Sequence, residues 1–335
     1  MKIAFIISQA VLAYSGGVPV QGRMWKEGLE QCGDTVDLIN VWDKWDWDNY
    51  DLIIFLGRGG ILEEYVNLLK PYKRPKLVSA PIIDWSRSLL EYKLKCRFLG
   101  NDRLHIHSSC YDYYKLRKKF DFFLARSEFE KSFIVEGVGV SPEKVRVVPL
   151  SMRFSDDGNL IDLTKKEDFC FHVSRLAFSG KNVARIVEAA KKYKFNLKLA
   201  GSVFGEDERN WLNNLIKDAP NIEYTGYLSD EELKSLYKRA KVFALPSIVE
   251  GVGFVALEAA VYGAEIVLTD IGAPKEYYDG RAELVSPYDV DAIGKAVCKL
   301  MKNGKSQPEL SQHILKNYSF DVLSKYLHDT LAAML

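Results

Sequence analysis

Short β-branched apolar runs alternate with helical patterns along the whole chain, and no other feature of the sequence restricts its architecture as much. In the first half the strand candidates are KIAFIIS (2–8), TVDLIN (35–40), DLIIFLG (51–57), KLVSAPI (76–82) and DFFLARS (121–127), with helices expected near 20–31, 61–70, 87–98 and 128–136. Runs this continuously apolar suit a parallel sheet covered on both faces. After VRVVPL (145–150) comes a polar stretch, SMRFSDDGNLIDLTKKED, which reads as a linker. The pattern then restarts with FCFHVS (169–174), NLKLAG (196–201), IEYTG (222–226), KVFALPS (241–247), EIVLTD (265–270) and AELVSP (282–287). The helical stretch SDEELKSLYKRA (229–240) opens with a serine and a glutamate three residues on, a capping box. The expectation is an α/β chain of two doubly wound domains, 1–155 and 165–318, with a helix at 319–335 packing back on the first. A length of 335 residues is enough for two such cores.

Composition excludes several function classes. Lys+Arg number 46 against 45 Asp+Glu, with 47% hydrophobic residues, so neither a disordered chain nor a strongly basic nucleic-acid binder is expected. No apolar run approaches the ~18–20 residues of a membrane-spanning helix. The opening MKIAFIISQAVLAYSGG reads as a first strand and turn, not as a secretory leader. Cys32, Cys96, Cys110, Cys170 and Cys298 are odd in number and contain no C-x-x-C pair, which points to a reducing, cytoplasmic compartment. His105, His107 and Cys110 lie close in sequence, yet no further ligand is recognisable nearby and no metal site is expected. Between Lys93 and Lys119 eight basic residues face only Asp102 and Asp112, interleaved with Tyr111, Tyr113 and Tyr114. This segment reads either as a solvated basic face or as a dock for anionic lipid headgroups on the inner face of a membrane.

A dinucleotide oxidoreductase would carry G-x-G-x-x-G directly after its first strand. Gly16-Gly17 comes late in that loop, and Gly57-Arg58-Gly59-Gly60 lacks the spacing. The segment 241–278 is more informative: a strand runs into a glycine-punctuated turn, and a helix begins near Gly253. The amides of Gly253, Phe254 and Val255 would then sit at a positive helix end, an anion site. Glu250 lies in the loop and Glu258 inside the helix. Spacing alone leaves open whether these carboxylates meet a ligand, or cap a turn and complement the helix dipole at the surface.

This segment resembles the E-x7-E signature of retaining, two-domain (GT-B) glycosyltransferases, in particular glycosyltransferase family 4. Pro246, Ser247, Glu250, Gly251, Gly253, Glu258, Ala259 and Gly263 match the family pattern P-S-x-x-E-G-x-G-x-x-x-x-E-A-x-x-x-G. HVSRLAFSGKN supplies Arg175 and Lys181 where the family places a basic pair on the donor diphosphate. LKLAGS, with Gly201, and YTGYLSDEEL, with Gly226, Tyr227 and Leu228, match segments flanking the nucleobase. LARSEFEKSFI is similar to the family's S-E-x-x-K stretch, and Gly16-Gly17 to its N-terminal Gly-Gly loop. Two departures stand out. Asp84, with Ser86 and Arg87 close by, takes the place of a family histidine near the sugar's 6-position, and VVPLSM stands where relatives have I-P-N-G-V-D.

The resemblance implies two Rossmann-like doubly wound domains facing a central cleft, the first for the acceptor and the second for the nucleotide sugar. It implies a retaining, metal-independent hexosyltransferase acting on a glycan or lipid-linked acceptor in cell-surface polysaccharide or glycolipid synthesis. The donor would be a UDP sugar first, a GDP or ADP sugar otherwise, with no cofactor. Glu250, Arg175, Lys181 and Asp84 would be catalytic. Gly16, Gly17, Gly201, Gly226, Tyr227, Leu228, Gly253, Phe254, Val255 and Glu258 would bind the donor, with Glu258 accepting from the ribose diol. Asp46-x-Asp48 has the spelling of a metal loop but belongs to a Trp-rich segment of the first domain, where Trp42, Trp45 and Trp47 are candidates for acceptor stacking or simple packing. An inverting transferase, a sugar-nucleotide epimerase and a non-catalytic GT-B-like binding subunit are the rival readings.

Overall fold

The computed structural model describes residues 1–7, 17–40, 42–57, 61–83, 88–104, 106–154 and 161–335. The chain divides into two compact units, Met1–Ser151 with Phe320–Leu335, and Met152–Ser319. Gly16, Asp84, Ser86, Arg87 and His105 fall outside the described residues.

The first unit is a parallel sheet of β1 (Lys2–Ile7), β2 (Thr35–Leu38), β3 (Leu52–Leu56), β4 (Lys76–Ala80), β5 (Phe122–Ala125) and β6 (Val145–Val147), in the order β2-β1-β3-β4-β5-β6. Every residue of β3 is buried, as the unbroken apolar run LIIFL requires of a central strand covered on both faces. The crossovers carry α1 (Gly17–Gln31), α2 (Ile61–Leu69), α3 (Leu89–Phe98), α4 (Ser109–Leu116) and α5 (Glu128–Ser132). Ser88, Ser108 and Ser127 cap the last three of these by accepting from the amide three residues on. One face of the sheet packs a core of Phe55, Phe120, Phe123, Tyr92 and Phe133. The final helix, α12 (Phe320–Ala332), also belongs to this unit and lies on α1. Asp34 ties it down, accepting from His328 Nδ1 at 2.7 Å and from the terminal ammonium of Met1 at 2.7 Å.

The second unit repeats the plan with β7 (Glu167–Val173), β8 (Leu197–Ala200), β9 (Ile222–Tyr224), β10 (Ala240–Leu245), β11 (Glu265–Thr269) and β12 (Glu283–Val285), ordered β12-β11-β10-β7-β8-β9. Its helices are α6 (Val183–Tyr193), α7 (Gly205–Ile216), α8 (Asp230–Arg239), α9 (Phe254–Val261), α10 (Val290–Asn303) and α11 (Glu309–Tyr318). The capping box of α8 forms as read: Ser229 accepts from the Glu232 amide, and the Glu232 carboxylate accepts from Ser229 N at 2.8 Å. Because β8 and β9 lie on one side of β7 and β10–β12 on the other, the chain reverses direction across the sheet between β7 and β10. The carboxyl ends of that strand pair are the topological switch point, where doubly wound sheets bind ligands.

The contact of α1 with α12 is close at one position. A Cβ on Gly28 would lie 2.1 Å from Ser324 Oγ and 2.7 Å from Ser324 Cβ. Gly28→Ala should therefore lower the unfolding free energy by about 1–3 kcal/mol, the usual cost of overpacking. Urea unfolding followed by circular dichroism measures it, and an unchanged midpoint would show that α12 yields freely.

Candidate active site

The switch point of the second unit is held together by one buried amide. The loop leaving β7 ends in Asn182, whose left-handed backbone (φ 62°) turns the chain into α6. Its Nδ2 donates to Pro246 O at 2.8 Å and to Pro287 O at 2.6 Å, at the carboxyl ends of β10 and β12. Ile248 and Val249 donate their amides to Gly180 O at 2.8 and 3.1 Å, so the outgoing loops of β7 and β10 are joined backbone to backbone. Lys181 is thereby set beside Glu250, with Nζ 2.7 Å from Oε2. Ser247 Oγ donates to the same oxygen at 3.0 Å. The spacing that reads as separate sugar and diphosphate contacts thus produces an ion pair between residues 69 positions apart. An ammonium has three donors, so Lys181 can hold Glu250 and still reach an anion.

Beneath this pair lies His172, wholly buried, with Nδ1 2.8 Å from Ala244 O and Nε2 2.8 Å from Ser174 Oγ. The carbonyl makes Nδ1 the protonated nitrogen and leaves Nε2 to accept from Ser174. Burial pushes its pKa down to about 4, against the pull of the Ala244 carbonyl. Tyr278 is buried nearby, and its hydroxyl has no hydrogen-bond partner among the described residues.

The helix start expected after the turn is present. Gly253 adopts φ 72° and precedes α9, whose N-terminus has no side-chain cap. Ala256 N donates to Gly253 O, and the amides of Phe254 and Val255 stand in the first turn at the positive end. On the other side of β7, Gly201 has φ 128°, and a Cβ there would lie 1.8 Å from Ser174 O, so only glycine fits. Its amide donates to Gly226 O at 2.9 Å, joining the ends of β8 and β9 beside exposed Tyr227 and half-buried Leu228. Arg175, 56% exposed, lies on this side, 3.4 Å from Glu208 with its guanidinium 5.3 Å from the Phe204 ring. Arg175 and Lys181 have different partners, so they are not a preassembled cationic pair.

Glu258 is not the surface residue that one reading of the spacing allowed: it is 0% exposed on the inner face of α9, where protein groups take up its carboxylate. Arg153 Nε donates to Oε1 at 2.6 Å and NH2 to Oε2 at 3.0 Å, and Tyr237 adds a hydroxyl at 3.1 Å. Burial works against the Arg153 charge, but the hydrogen bonds and attraction of Glu258 outweigh it and raise its pKa. Full burial raises the Glu258 carboxyl, opposed by that same guanidinium and the Tyr237 hydroxyl. Sequence reasoning missed Arg153, assigning it to the linker, together with Asn182, His172 and Tyr237. The only signal for Arg153 was a lone basic residue where relatives carry I-P-N-G-V-D.

In the first unit, Trp47 is buried against Tyr50 and Tyr65, and Trp45 donates Nε1 to Asn40 O at 3.0 Å. Trp42 is exposed. Trp45, Trp47 and Tyr65 line a cavity of about 460 Å³ with Asn40, Asp43, Glu64 and Leu68. Gly17 opens α1, and His107 pairs with Asp112 at 3.0 Å while Cys110 is buried. Among the described residues no group of three or more His, Cys, Asp or Glu is arranged to hold a metal ion.

Two outcomes follow for stability. A histidine whose folded pKa lies below its unfolded value contributes stability that is complete above about pH 6.5 and is lost as pH falls toward 4. The unfolding free energy of the wild type relative to His172→Asn should therefore fall by ~3 kcal/mol from pH 7 to pH 4, and parallel pH profiles would contradict this. Arg153→Met should cost about 3–5 kcal/mol at pH 7 by leaving a buried carboxylate without its cation. That deficit should shrink as the pH falls, because the buried Glu258 carboxyl, without its cation, takes up a proton instead; urea titrations at several pH values read both.

Residues 159–317 match the family model of glycosyl transferases group 1. An uncharacterized glycosyltransferase of Methanocaldococcus jannaschii is 28% identical over 179 residues, 51% of this chain and 44% of that protein. O-antigen chain mannosyltransferase B of Escherichia coli is 29% identical over 132 residues, 37% of this chain and 34% of that protein. The chain thus spans less than half the length of these relatives. Sucrose-phosphate synthase from Thermosynechococcus elongatus superposes with a TM-score of 0.78 at 15% identity, covering 99% of this chain and 98% of the other. The chain has the GT-B fold, and most of its second unit matches the glycosyl transferases group 1 model.

Proposed function

We propose that the chain is a retaining glycosyltransferase that moves a sugar from a nucleotide diphosphate to a hydroxyl of a glycan or lipid-linked acceptor. What carries this reading is the Lys181–Glu250 pair at the switch point, beside the uncapped start of α9, in a domain that matches the group 1 family. The diphosphate rests on the first-turn amides of Phe254 and Val255, with Lys181 on one side and Arg175 reaching in from the other. Gly201, Gly226, Tyr227 and Leu228 border the nucleoside. As the bond from the anomeric carbon to phosphate breaks, negative charge grows on the diphosphate and positive charge on the ring. Lys181, Arg175 and the helix end stabilise the first charge, and Glu250 the second. The acceptor oxygen bonds to the anomeric carbon on the face the diphosphate leaves, and its proton passes to the departing phosphate oxygen. Glu258 holds the Arg153 side chain against α9, and its contact with the ribose diol is assigned by resemblance alone. Asp84, Gly16 and Gly17 are assigned by resemblance alone, to the sugar's 6-position and the donor.

The acceptor is a saccharide of a cell-surface polymer or glycolipid, a class consistent with the O-antigen mannosyltransferase among the relatives. Stacking on the Trp45–Tyr65 cavity would suit it. The reaction takes place in the cytoplasm and uses no divalent ion, because two cations and a helix terminus offset the leaving charge.

A thermal-shift screen of UDP, GDP and ADP sugars identifies the donor, with the UDP sugar expected to stabilise most. In the transfer assay the wild type should keep its rate in EDTA, and product analysis should find the anomeric configuration retained. Lys181→Met should lose about 10²–10³ in kcat/KM, as for removal of one oxyanion donor. Glu250→Gln, whose amide oxygen still accepts from Ser247 and Lys181, should lose mainly kcat. Inactivation by EDTA with recovery in Mg²⁺, or a Lys181→Met variant of normal kcat/KM, would overturn this mechanism.

A further inference from the structure

Six of the eighteen large hydrophobic side chains that stand exposed among the described residues fall between Leu90 and Ile106. That concentration is more than the scattered apolar background of a protein surface. Leu90 (65% exposed), Leu94 and Phe98 (76%) stand one turn apart on the outer face of α3, while Tyr92 and Cys96 fill the opposite, buried face. The helix is therefore apolar on both sides, although only one side meets the core. The stripe continues through Leu99 into a loop closed by paired backbone bonds between Asn101 and Ile106, at 2.8 and 3.0 Å, which exposes Arg103, Leu104 and Ile106.

The basic residues of this region separate into two sets. Arg117 stacks on Tyr114 at 3.7 Å, Arg97 lies 5.1 Å from the same ring and donates to Gly137 O, Lys95 lies 3.3 Å from Glu91, and Lys115 4.0 Å from Glu63. These four have partners within the unit. Lys93, Arg103, Lys118 and Lys119 are exposed, Lys93 on α3 between Leu90 and Leu94 and Arg103 in the loop that follows it. The tyrosines that make the sequence look like a basic–aromatic dock turn inward instead: Tyr113 is buried against Ser79, and Tyr114 is covered by the two arginines.

We propose that α3, residues 99–104 and Ile106 form a docking face for an anionic bilayer. Leu90, Leu94, Phe98 and Leu104 enter the boundary of the acyl chains, and Lys93, Arg103, Lys118 and Lys119 meet the lipid phosphates. An apolar helical face bordered by cations is the composition of an interfacial helix, and the excess positive charge selects anionic headgroups over a neutral partner. The face lies in the first unit and does not rest on the proposed reaction.

Flotation of the full chain with phosphatidylcholine vesicles, with and without phosphatidylglycerol, tests this. The wild type should float with the mixed vesicles, weaken as salt rises, and keep a salt-resistant fraction owed to apolar insertion. Leu94→Ser with Phe98→Ser should reduce that partition at least about tenfold. Lys118→Ser with Lys119→Ser should reduce it about tenfold at low salt and abolish the lipid preference. Both pairs should leave the thermal midpoint unchanged, since all four side chains are exposed. Failure of the wild type to float, equal binding to both vesicle types, or full binding by the Leu94→Ser, Phe98→Ser chain would overturn the proposal. So would light scattering that finds a wild-type dimer which the same two substitutions dissociate, because a second copy would then be the occupant of the face.

Discussion

The side-chain amide of Asn182 is the constraint on which the second unit's site depends. Pro246 and Pro287 leave carbonyls at the carboxyl edge of the sheet, where no further strand residue can donate to them. Asn182, 4% exposed, supplies both hydrogens from a single group, and it can do so only because its backbone is left-handed. That geometry brings Gly180 under the amides of Ile248 and Val249 and puts Lys181 against Glu250. Remove the amide and two buried carbonyls lose their donor, while the loop carrying the lysine loses its register against the loop carrying the carboxylate.

The Glu258 cluster illustrates a different balance. Two charges and a phenol are taken out of water, so the ion pair adds little net stability, yet breaking it would be costly. Its effect is positional. Arg153 reaches Glu258 in the middle of α9 and Asp230 at the start of α8, with its guanidinium 4.7 Å from the Phe154 ring and 5.6 Å from Phe254. The segment that follows the first unit is thereby tied to the helix whose N-terminus faces the switch point. The first unit has a comparable hub in Glu130, whose carboxylate accepts from Arg126 N, the Arg126 guanidinium and Ile83 N, joining the ends of β4 and β5.

The α3 face shows how one segment can carry two meanings. Its apolar residues look like core material and its lysines like a solvated surface, and each description holds for part of it. A helix with apolar residues on two opposite sides has no preferred side by periodicity, so packing against the Phe133 region decides which residues are left outside. Once Tyr92 and Cys96 are inside, Leu90, Leu94 and Phe98 have nowhere to go but outward.

The sequence by itself determined the two parallel α/β sheets, because near-continuous apolar runs alternating with helices admit few other architectures. It also determined the capping box at Ser229, a local contact within one turn, and the placement of Glu250 in a loop with Glu258 in the helix after it. Only the tertiary structure decided the partners. Lys181 meets Glu250 across 69 residues and Arg153 meets Glu258 across 105, and no local pattern encodes which strands end side by side. The partners of Glu258 were not legible because spacing gives its position along the helix but not the direction in which that helix faces. The same physics separated the bound from the exposed cations of the 93–119 segment. Periodicity is written in the chain; the phase of each helix against its sheet is set only when the core closes.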